Sequence, residues 1–309
     1  MEVTPDGVEL SIVVAADEAG PGLRRCLDAL RPQVNSPRME VIVADGSASE
    51  SGWRENVSWL RTLRLRPGSE VPQLWSAGIE AARGRIIALT IEQCVPARDW
   101  ASSVLRAHSS ECVAIGGAIN ASADLGLADW AIYFCRYSRF MPTAAAEYLD
   151  DLAGDNCSYK RAAFEGLREV IASGFWETFF HGALRKRGDR LLFDPSVVVA
   201  YAGPISYRRF LRRRFAHACL FAARRSGEMS AAQRFVRTAA SPLVPLVLFR
   251  RIAARVWCRG RRRGKFLACL PLLLTFLVSW GAGEGLGYIF ADRLRKVGDG
   301  ASGAAGEAR

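Results

Sequence analysis

Short, mostly apolar runs alternate with helical patterns over the first part of the chain. The runs cover residues 11–16, 39–44, 60–65 and 85–90, and apolar residues at helical spacing lie between them. Continuous apolar runs are typical of strands buried on both faces, as in a parallel sheet that helices cover on either side. The alternation therefore predicts an α/β, doubly wound core of nucleotide-binding type from about Val8 to Asn120.

Further sheet and helix are predicted beyond this core. Residues 112–119 form another apolar run, and helical spacing returns at 160–169 and 176–187. The apolar run at 191–201 is interrupted by Asp194-Pro195, which predicts a final pair of strands. Together these patterns predict one α/β domain that spans residues 1–201.

Between these elements, residues 124–155 are less regular and contain an aromatic cluster. The cluster either faces a substrate or belongs to a helix that packs on the sheet, and we favour packing. Its members are Trp130, Tyr133, Phe134, Tyr137 and Phe140.

Positive charge is concentrated in one stretch of the chain. Between Ala202 and Lys265 there are 16 Arg and 1 Lys against Glu228 alone, a balance of 17 − 1 = +16 within a net charge of +11. Such a region is suited to polyanions. Long apolar runs separate the arginines and stacking aromatic residues are few, which argues against nucleic acid and favours an anionic membrane surface.

Two segments of this basic region predict membrane association. One helical stripe from Tyr207 to Ala222 is apolar, and arginines crowd the opposite side, which describes a basic amphipathic helix. Residues 266–283 carry no charge, which predicts a membrane-embedded or re-entrant helix. Basic clusters flank this segment on both sides, so the positive-inside rule leaves open whether it is a true span or a shallow hairpin within 266–290.

The remaining features concern compartment and boundaries. The first residues lack the basic start of a signal peptide, and the eight cysteines include no Cys-x-x-Cys pair, so a cytoplasmic body with reduced thiols is expected. We predict a membrane-associated helical region at 202–297 and a disordered tail at 298–309.

Two acidic positions follow predicted strands. Asp45-Gly46-Ser47 ends the second strand, where open α/β sheets bind ligands, although Asp-Gly is also a common turn pair. Glu92 follows the strand at 85–90 and could offer oxygen to a hard divalent cation, although a solvent-facing Glu is the plainer interpretation.

A third acid, Glu177, lies among Phe175, Trp176 and Phe180. A carboxylate buried among aromatic rings has a raised pKa and can accept a proton from a substrate hydroxyl, which makes Glu177 the candidate general base. The alternative is a first-turn Glu, after a possible cap at Ser173, that is favoured by the helix dipole.

Taken in order, these motifs resemble those of the family 2 glycosyltransferases with the GT-A fold, in particular membrane-associated bacterial-type members. The family's Asp-x-Asp signature falls on Thr90-Ile91-Glu92, which lacks the first Asp, and Trp75-Ser76 stands where the family has Arg-Asn. The matching segments are Asp17-Glu18, Asp45-Gly46-Ser47, Trp75 to Gly84, Thr90 to Glu92 with Pro96, Asn156 to Phe164, and Trp176-Glu177 through Gly188.

The resemblance implies a Rossmann-like, mostly parallel sheet and an inverting transfer from a nucleotide-sugar donor, with Glu177 as the base. It further implies a divalent metal, Mg²⁺ or Mn²⁺, at Glu92. The implied acceptor is lipid-linked or a glycan, at the cytoplasmic face of the cell membrane, in surface glycan or glycolipid synthesis. The implied donor-binding residues are Glu18, Asp45, Ser47, Ser76, Asn156, Lys160 and Arg161.

The two departures from the motifs leave a second interpretation open. With Thr90 in place of an acid and no Arg-Asn pair, the chain could be a degenerate, non-catalytic scaffold that binds nucleotide or protein partners at the membrane.

Overall fold

The protein is described by a computed structural model that covers residues 7–34, 38–48, 57–259 and 262–294. It divides into two compact units: a sheet unit, up to Ser122 and from Phe140 to Gly203, and a helical unit, from Ala123 to Arg139 and from Pro204 onward. The division near Gly203 lies close to the predicted boundary at 201, but the segment from Ala123 to Arg139 joins the helical unit instead. The predicted disordered tail lies outside the described residues.

A nine-stranded, mostly parallel sheet forms the centre of the sheet unit, in the order β3-β2-β1-β4-β8-β6-β9-β5, with β7 paired to β9. Strands β5, β7 and β8 run against the other six. The strands are β1 (Leu10–Ala16), β2 (Met39–Asp45), β3 (Leu60–Arg64), β4 (Ile86–Ile91), β5 (Cys94–Pro96), β6 (Ala114–Ala121), β7 (Glu147–Leu149), β8 (Asn156–Lys160) and β9 (Leu191–Tyr201).

Ten α-helices lie within the described residues. They are α1 (Pro21–Leu30), α2 (Val71–Ala81), α3 (Trp100–Ala107), α4 (Leu127–Tyr137), α5 (Arg168–Ile171), α6 (Glu177–Lys186), α7 (Tyr207–Arg225), α8 (Ala231–Ala240), α9 (Val244–Arg259) and α10 (Arg263–Ile289). Helix α2 shows why a helix begins where it does: the side chains of Glu70 and Gln73 form a capping box, and proline occupies the first turn.

The central strands confirm the predicted α/β core. Every residue of β1 and β4 is buried, because each strand is paired on both sides and helices cover the sheet faces. This burial explains why their sequences are apolar without alternation.

Two predictions of secondary structure were wrong. The helix predicted at 160–169 does not form over that range: Lys160 ends β8, which inserts antiparallel between β4 and β6, and α5 begins only at Arg168. The run at 191–201 is a single strand rather than two, because a register shift opposite Gly117 and Ala118 absorbs the Asp194-Pro195 step. The amide N–H of Ser196 donates to Asp194 Oδ1 at 2.8 Å within this bulge.

The helical unit is built around α10. Four members of the predicted aromatic cluster, Trp130, Tyr133, Phe134 and Tyr137, lie on α4. Helix α4 packs on α10, where the rings of Phe134 and Phe266 meet edge to face at 5.4 Å. Among the described residues, α10 is the one helix long and apolar enough to cross a membrane, by length and composition. It is longer than the predicted segment, because it continues through Glu284 to Ile289.

Helix α7 was predicted to present its apolar stripe to a membrane surface, and this was wrong for much of the stripe. Ala218 and Ala222 are buried, and the ring of Tyr207 contacts that of Phe276 on α10 at 5.3 Å. Phe215 is 37% exposed. The stripe is apolar mainly because another helix covers it.

Candidate active site

The carboxyl ends of β2 and β3 bring Asp45, Ser47 and Arg64 together. Asp45 is fully buried, and its carboxylate accepts a hydrogen bond from the Arg64 guanidinium at 2.5 Å and from the Ser47 amide at 2.8 Å. Arg64 also donates to the Ser47 hydroxyl and carbonyl. The result is a rigid corner of mixed charge at the edge where open α/β sheets bind ligands.

Arg64 was missed by the sequence analysis. It is the last residue of β3 and lies directly opposite Asp45 in the parallel pairing. A basic residue at the end of the strand next to an Asp-Gly-Ser turn was the available signal.

Glu92 follows β4 at the same edge, and its carboxylate is turned towards the loop after β1. Oε1 accepts hydrogen bonds from the amides of Asp17 at 3.0 Å and Glu18 at 2.9 Å, and Oε2 accepts a longer one from Gly20. Burial raises the pKa of Glu92, while the amide hydrogen bonds favour its charged form. Glu92 therefore fixes the turn after β1, and the Glu18 side chain is exposed on that turn.

These contacts bear on the predicted metal site. A hard divalent cation needs several free oxygen ligands, but both oxygens of Glu92 already accept N–H donors, including the side-chain amide of Gln93. No group of three or more His, Cys, Asp or Glu residues in the described ranges could hold a metal ion. The residues at this position do not fit a resident cation, and the assignment of Glu92 as a ligand stays a prediction from the sequence.

Glu177 is the first residue of α6 and is half-buried. Trp176, not Ser173, is the N-cap residue. A Cβ placed on Gly154 would lie 3.4 Å from the carboxyl carbon of Glu177 and 2.6 Å from the ring of Trp75. Because Gly154 has no side chain, the acid and the indole approach each other closely at this point.

Trp75 connects this acid to the carboxyl end of β4. The indole N–H of Trp75 donates to the carbonyl of Thr90 at 3.0 Å, and Thr90 pairs with Asn156, the first residue of β8. Gly154 comes two residues earlier, so Glu177 lies at the same edge of the sheet as Asp45 and Glu92.

An aromatic core supports the start of α6. The rings of Phe175 and Phe180 lie 5.0 Å apart, and each contacts Tyr159 and Phe164. The rings of Phe175 and Phe180 thus lie in the core, whereas the acid lies at a helix N-terminus, where the dipole favours a negative charge.

A buried hydrogen-bond chain lies one turn along α6, and the sequence analysis missed it. His181 is fully buried, and its Nδ1 contacts Asp151 Oδ1 at 2.5 Å while its Nε2 contacts the Tyr159 hydroxyl at 2.7 Å. The Tyr159 hydroxyl also accepts from the Cys157 thiol, and Thr178 donates to Asp151. The chain fastens the loop before Gly154 to the helix that carries Glu177. The sequence feature that could have indicated it is His181, four residues after Glu177.

Two predicted donor-binding residues have structural partners instead. The Asn156 side chain is buried: it accepts from the Trp100 indole N–H at 2.8 Å and donates to the carbonyls of Ala118 and Val197, both at 3.0 Å. The Ser76 hydroxyl donates to the carbonyl of Ile171 at 2.8 Å.

Lys160 and Arg161 lie at the opposite edge of the sheet. Lys160 pairs with Ile86, the first residue of β4, because β8 is antiparallel. Six residues of strand separate Ile86 from Glu92, about 20 Å. Lys160 donates to the carbonyl of Ser110, and Arg161 donates to the carbonyls around Gly84. Neither residue is brought together with Asp45 or Glu177.

Comparison with known proteins supports the architecture. No family model matches the chain, and no curated protein matches it. Among solved structures, the mannosyltransferase PcManGT from Pyrobaculum calidifontis, in complex with GDP-Man and Mn²⁺, is similar with a TM-score of 0.51 and 16% identity, over 94% of this chain and 87% of that chain. The structure of GalNAc-T7 with UDP, GalNAc and Mn²⁺ is similar with a TM-score of 0.47 and 14% identity, over 65% of this chain and 45% of that chain.

At this level of identity the likeness establishes the fold. The chain has the GT-A type of glycosyltransferase fold, with a mostly parallel sheet and an apolar C-terminal helix.

Proposed function

We propose that this chain is an inverting glycosyltransferase that transfers a sugar from a nucleotide-sugar donor to an acceptor hydroxyl. The observation that carries the proposal is the position of Glu177. On a GT-A fold, this half-buried acid lies at the carboxyl edge of the sheet, beside Gly154 and Trp75. A carboxylate there can reach a hydroxyl next to a sugar seated at the same edge.

In the proposed reaction, Glu177 accepts the proton of the acceptor hydroxyl. The acceptor oxygen forms a bond to the anomeric carbon while the bond from that carbon to the diphosphate oxygen breaks. The nucleoside diphosphate leaves with the electron pair, and attack from the opposite face inverts the configuration. The transition-state charge on the leaving group is met by polar groups of the site.

The donor nucleoside is assigned to the corner formed by Asp45, Ser47 and Arg64. Asp45 and Ser47 offer oxygens to ribose or base, and Arg64 adds a guanidinium within hydrogen-bond distance of both. The turn fixed by Glu92 places Glu18 at the same edge. Ser76, Asn156, Lys160 and Arg161 are left out of this site because each of them is hydrogen-bonded to a backbone carbonyl elsewhere in the fold.

The acceptor is proposed to be lipid-linked or otherwise close to the membrane, at its cytoplasmic face, in the synthesis of a surface glycan or glycolipid. The apolar length of α10 and the many arginines of the helical unit support this placement.

Glu177→Gln tests the role of the acid. The variant should fold and bind nucleotide like the unchanged protein but lose transfer by about 1000-fold, since general base catalysis typically contributes 10²–10⁴-fold. Glu169→Gln, an exposed acid on α5, is the matched control and should keep full transfer. Unchanged turnover in Glu177→Gln would remove this residue from the role.

Nucleotide and metal can be tested together by thermal shift. Purified protein is heated with UDP, GDP or dTDP, each with and without Mg²⁺ or Mn²⁺. A bound nucleotide stabilises the fold by mass action. Since amide donors already occupy the oxygens of Glu92, we expect metal alone to leave the unfolding temperature unchanged. A higher unfolding temperature with Mn²⁺ alone would instead support a metal-binding site.

The engaged state of Glu92 and the degenerate Asp-x-Asp signature favour a second candidate, a scaffold that binds nucleotide without chemistry. A panel of nucleotide sugars distinguishes the two, because a scaffold would bind a nucleotide and yield neither transfer nor hydrolysis.

A further inference from the structure

The exposed face of α10 is an apolar stripe along the length of the helix. Its large exposed residues are Leu267, Leu274, Val278, Leu286 and Ile289, each at least 40% exposed. They recur at multiples of the helical repeat and so share one side of the helix. The stripe covers about 33 Å at 1.5 Å per residue.

No charged side chain interrupts this stripe. The single acid within it, Glu284, is buried and accepts hydrogen bonds from Trp280 Nε1 and the Tyr288 hydroxyl, both at 3.0 Å. Scattered exposed apolar residues are normal in a soluble protein, but five large ones on one side of a single helix mark a contact surface.

The neighbouring helix α7 runs parallel to the second half of α10. Tyr207 donates to Thr275, and the Ser279 hydroxyl donates to the carbonyl of Leu211. Further along, a Cβ on Gly283 would lie 2.5 Å from the carbonyl oxygen of Phe215, and one on Gly287 would lie 2.4 Å from that of Cys219. The two helices therefore run in the same direction, with Tyr207 level with Thr275.

This pairing decides between a span and a surface helix. The first two turns of α7 carry Arg208, Arg209, Arg212, Arg213 and Arg214, level with the middle of α10. If α10 crossed a bilayer, these arginines would share the hydrocarbon core, at about 3 kcal/mol each or more. A transmembrane α10 is therefore disfavoured by its own partner helix.

The stripe and the α7 contact occupy different sides of α10. At 100° per residue, the positions that meet α7 centre about 110° from the stripe residues. Helices α4, α8 and α9 also pack on α10, and Ser241 and Pro245 cover Gly285 and Gly281, so the stripe is the part of the helix surface that these neighbours leave exposed. Exposed Arg263, Lys265 and Arg293 bracket the two ends of the stripe.

We propose that α10 lies in the plane of an anionic bilayer surface, with the stripe in the acyl boundary and the bracketing cations at the phosphates. Helix α7 then flanks α10, and its arginines can reach the headgroup region. The charge pattern favours lipid as the partner of this surface. An apolar stripe with cations at both ends matches a bilayer, in which anionic headgroups lie above apolar acyl chains. The inference rests on the membrane partner of the proposed function and does not depend on transfer.

Flotation with vesicles tests the stripe in the full chain without substrate. The protein should bind vesicles of phosphatidylcholine with about 30 mol % phosphatidylglycerol more tightly than phosphatidylcholine alone. The double variant Leu274→Gln, Val278→Gln should weaken binding by about tenfold or more, since two buried aliphatic side chains are lost. Tyr148→Gln, at an exposed residue of the sheet unit, is the matched control and should bind normally. Equal binding by the double variant would overturn the proposal.

A second experiment separates an in-plane helix from a span. With tags at both chain ends in membrane vesicles, both tags should be accessible from the same side, and alkaline carbonate should release the protein. Tags on opposite sides, or retention after carbonate, would overturn the in-plane geometry.

Failure to bind vesicles together with dimerisation by light scattering would assign the stripe to a second copy and overturn the lipid partner. Transfer of sugar to a soluble acceptor by the same protein preparations would show that the proposed function holds without membrane binding.

Discussion

The sheet unit and the helical unit place their polar and apolar groups in opposite ways. The sheet unit buries Glu40, Asp45, Glu92 and Asn156, and gives each of them hydrogen-bond partners from distant parts of the chain. The helical unit leaves large apolar side chains exposed along α10 and relies on close backbone approach at glycines. The difference indicates that the sheet unit holds polar side chains at fixed positions, while the helical unit presents an apolar surface.

The largest expected effect tests whether buried polar contacts build the sheet unit. Asn156→Ala removes three buried hydrogen bonds, from the Trp100 indole N–H and to the carbonyls of Ala118 and Val197, so the free energy of unfolding should fall by about 3 kcal/mol. Chemical denaturation measures it. Asn120→Ala, a partly exposed residue, is the control. Unchanged stability with a raised KM for the donor would instead return Asn156 to the donor site.

A smaller effect tests the glycine contacts of the helical unit. Gly283→Ala forces a methyl group to within 2.5 Å of the Phe215 carbonyl, so α7 and α10 must separate and stability should fall by about 2 kcal/mol. Limited proteolysis within α7 and thermal unfolding report the loss. Gly264→Ala, where no atom lies within 4 Å, should be neutral or slightly stabilising. Equal behaviour of the two variants would contradict the close packing.

The smallest effect is pH dependence, and it compares the units directly. Burial, with Lys160 and Arg85 nearby, lowers the pKa of His108 in the sheet unit to about 3, and burial also lowers that of His217 in the helical unit to about 3. Unfolded histidine titrates near 6.5, so unfolding takes up a proton below that pH. Stability is therefore complete above about 6.5 and falls as the pH drops towards the folded pKa, by about 1.5 kcal/mol per histidine between pH 6.5 and 5.

Single variants show which histidine, and therefore which unit, causes the loss of stability at low pH. His108→Gln should flatten the pH dependence of amide exchange in the sheet unit only, and His217→Gln should flatten it in the helical unit only, so each variant is the control for the other. A pH profile unchanged in both would show that neither histidine is held neutral.

Much of the sheet could be predicted because its strands are locally distinctive. The runs that became β1, β2 and β4 are mostly apolar, and Asp45-Gly46-Ser47 marks where β2 ends. Strand β8 was missed because Asn156 to Lys160 is a mixed sequence, and its strand character comes from two neighbours distant along the chain.

The candidate site was predictable in its acids but not in their contacts. Glu177 could be singled out by its aromatic neighbours. The link between Asp151 and His181 joins residues thirty apart, and the orientation of Glu92 depends on a turn more than seventy residues earlier. Sequence patterns report periodicity and local chemistry, whereas these contacts depend on how the chain folds back.

The packing of α4 on α10 has a consequence for synthesis on the ribosome. Phe134 leaves the ribosome long before Phe266, the ring it finally meets, and at 5–20 residues per second the delay is on the order of 10 s. During that interval the sheet unit can already pair its strands, whereas the aromatic residues of α4 stay exposed until α10 has been synthesised. Chaperone dependence should therefore concentrate on this segment, and C-terminal truncations should fail there first.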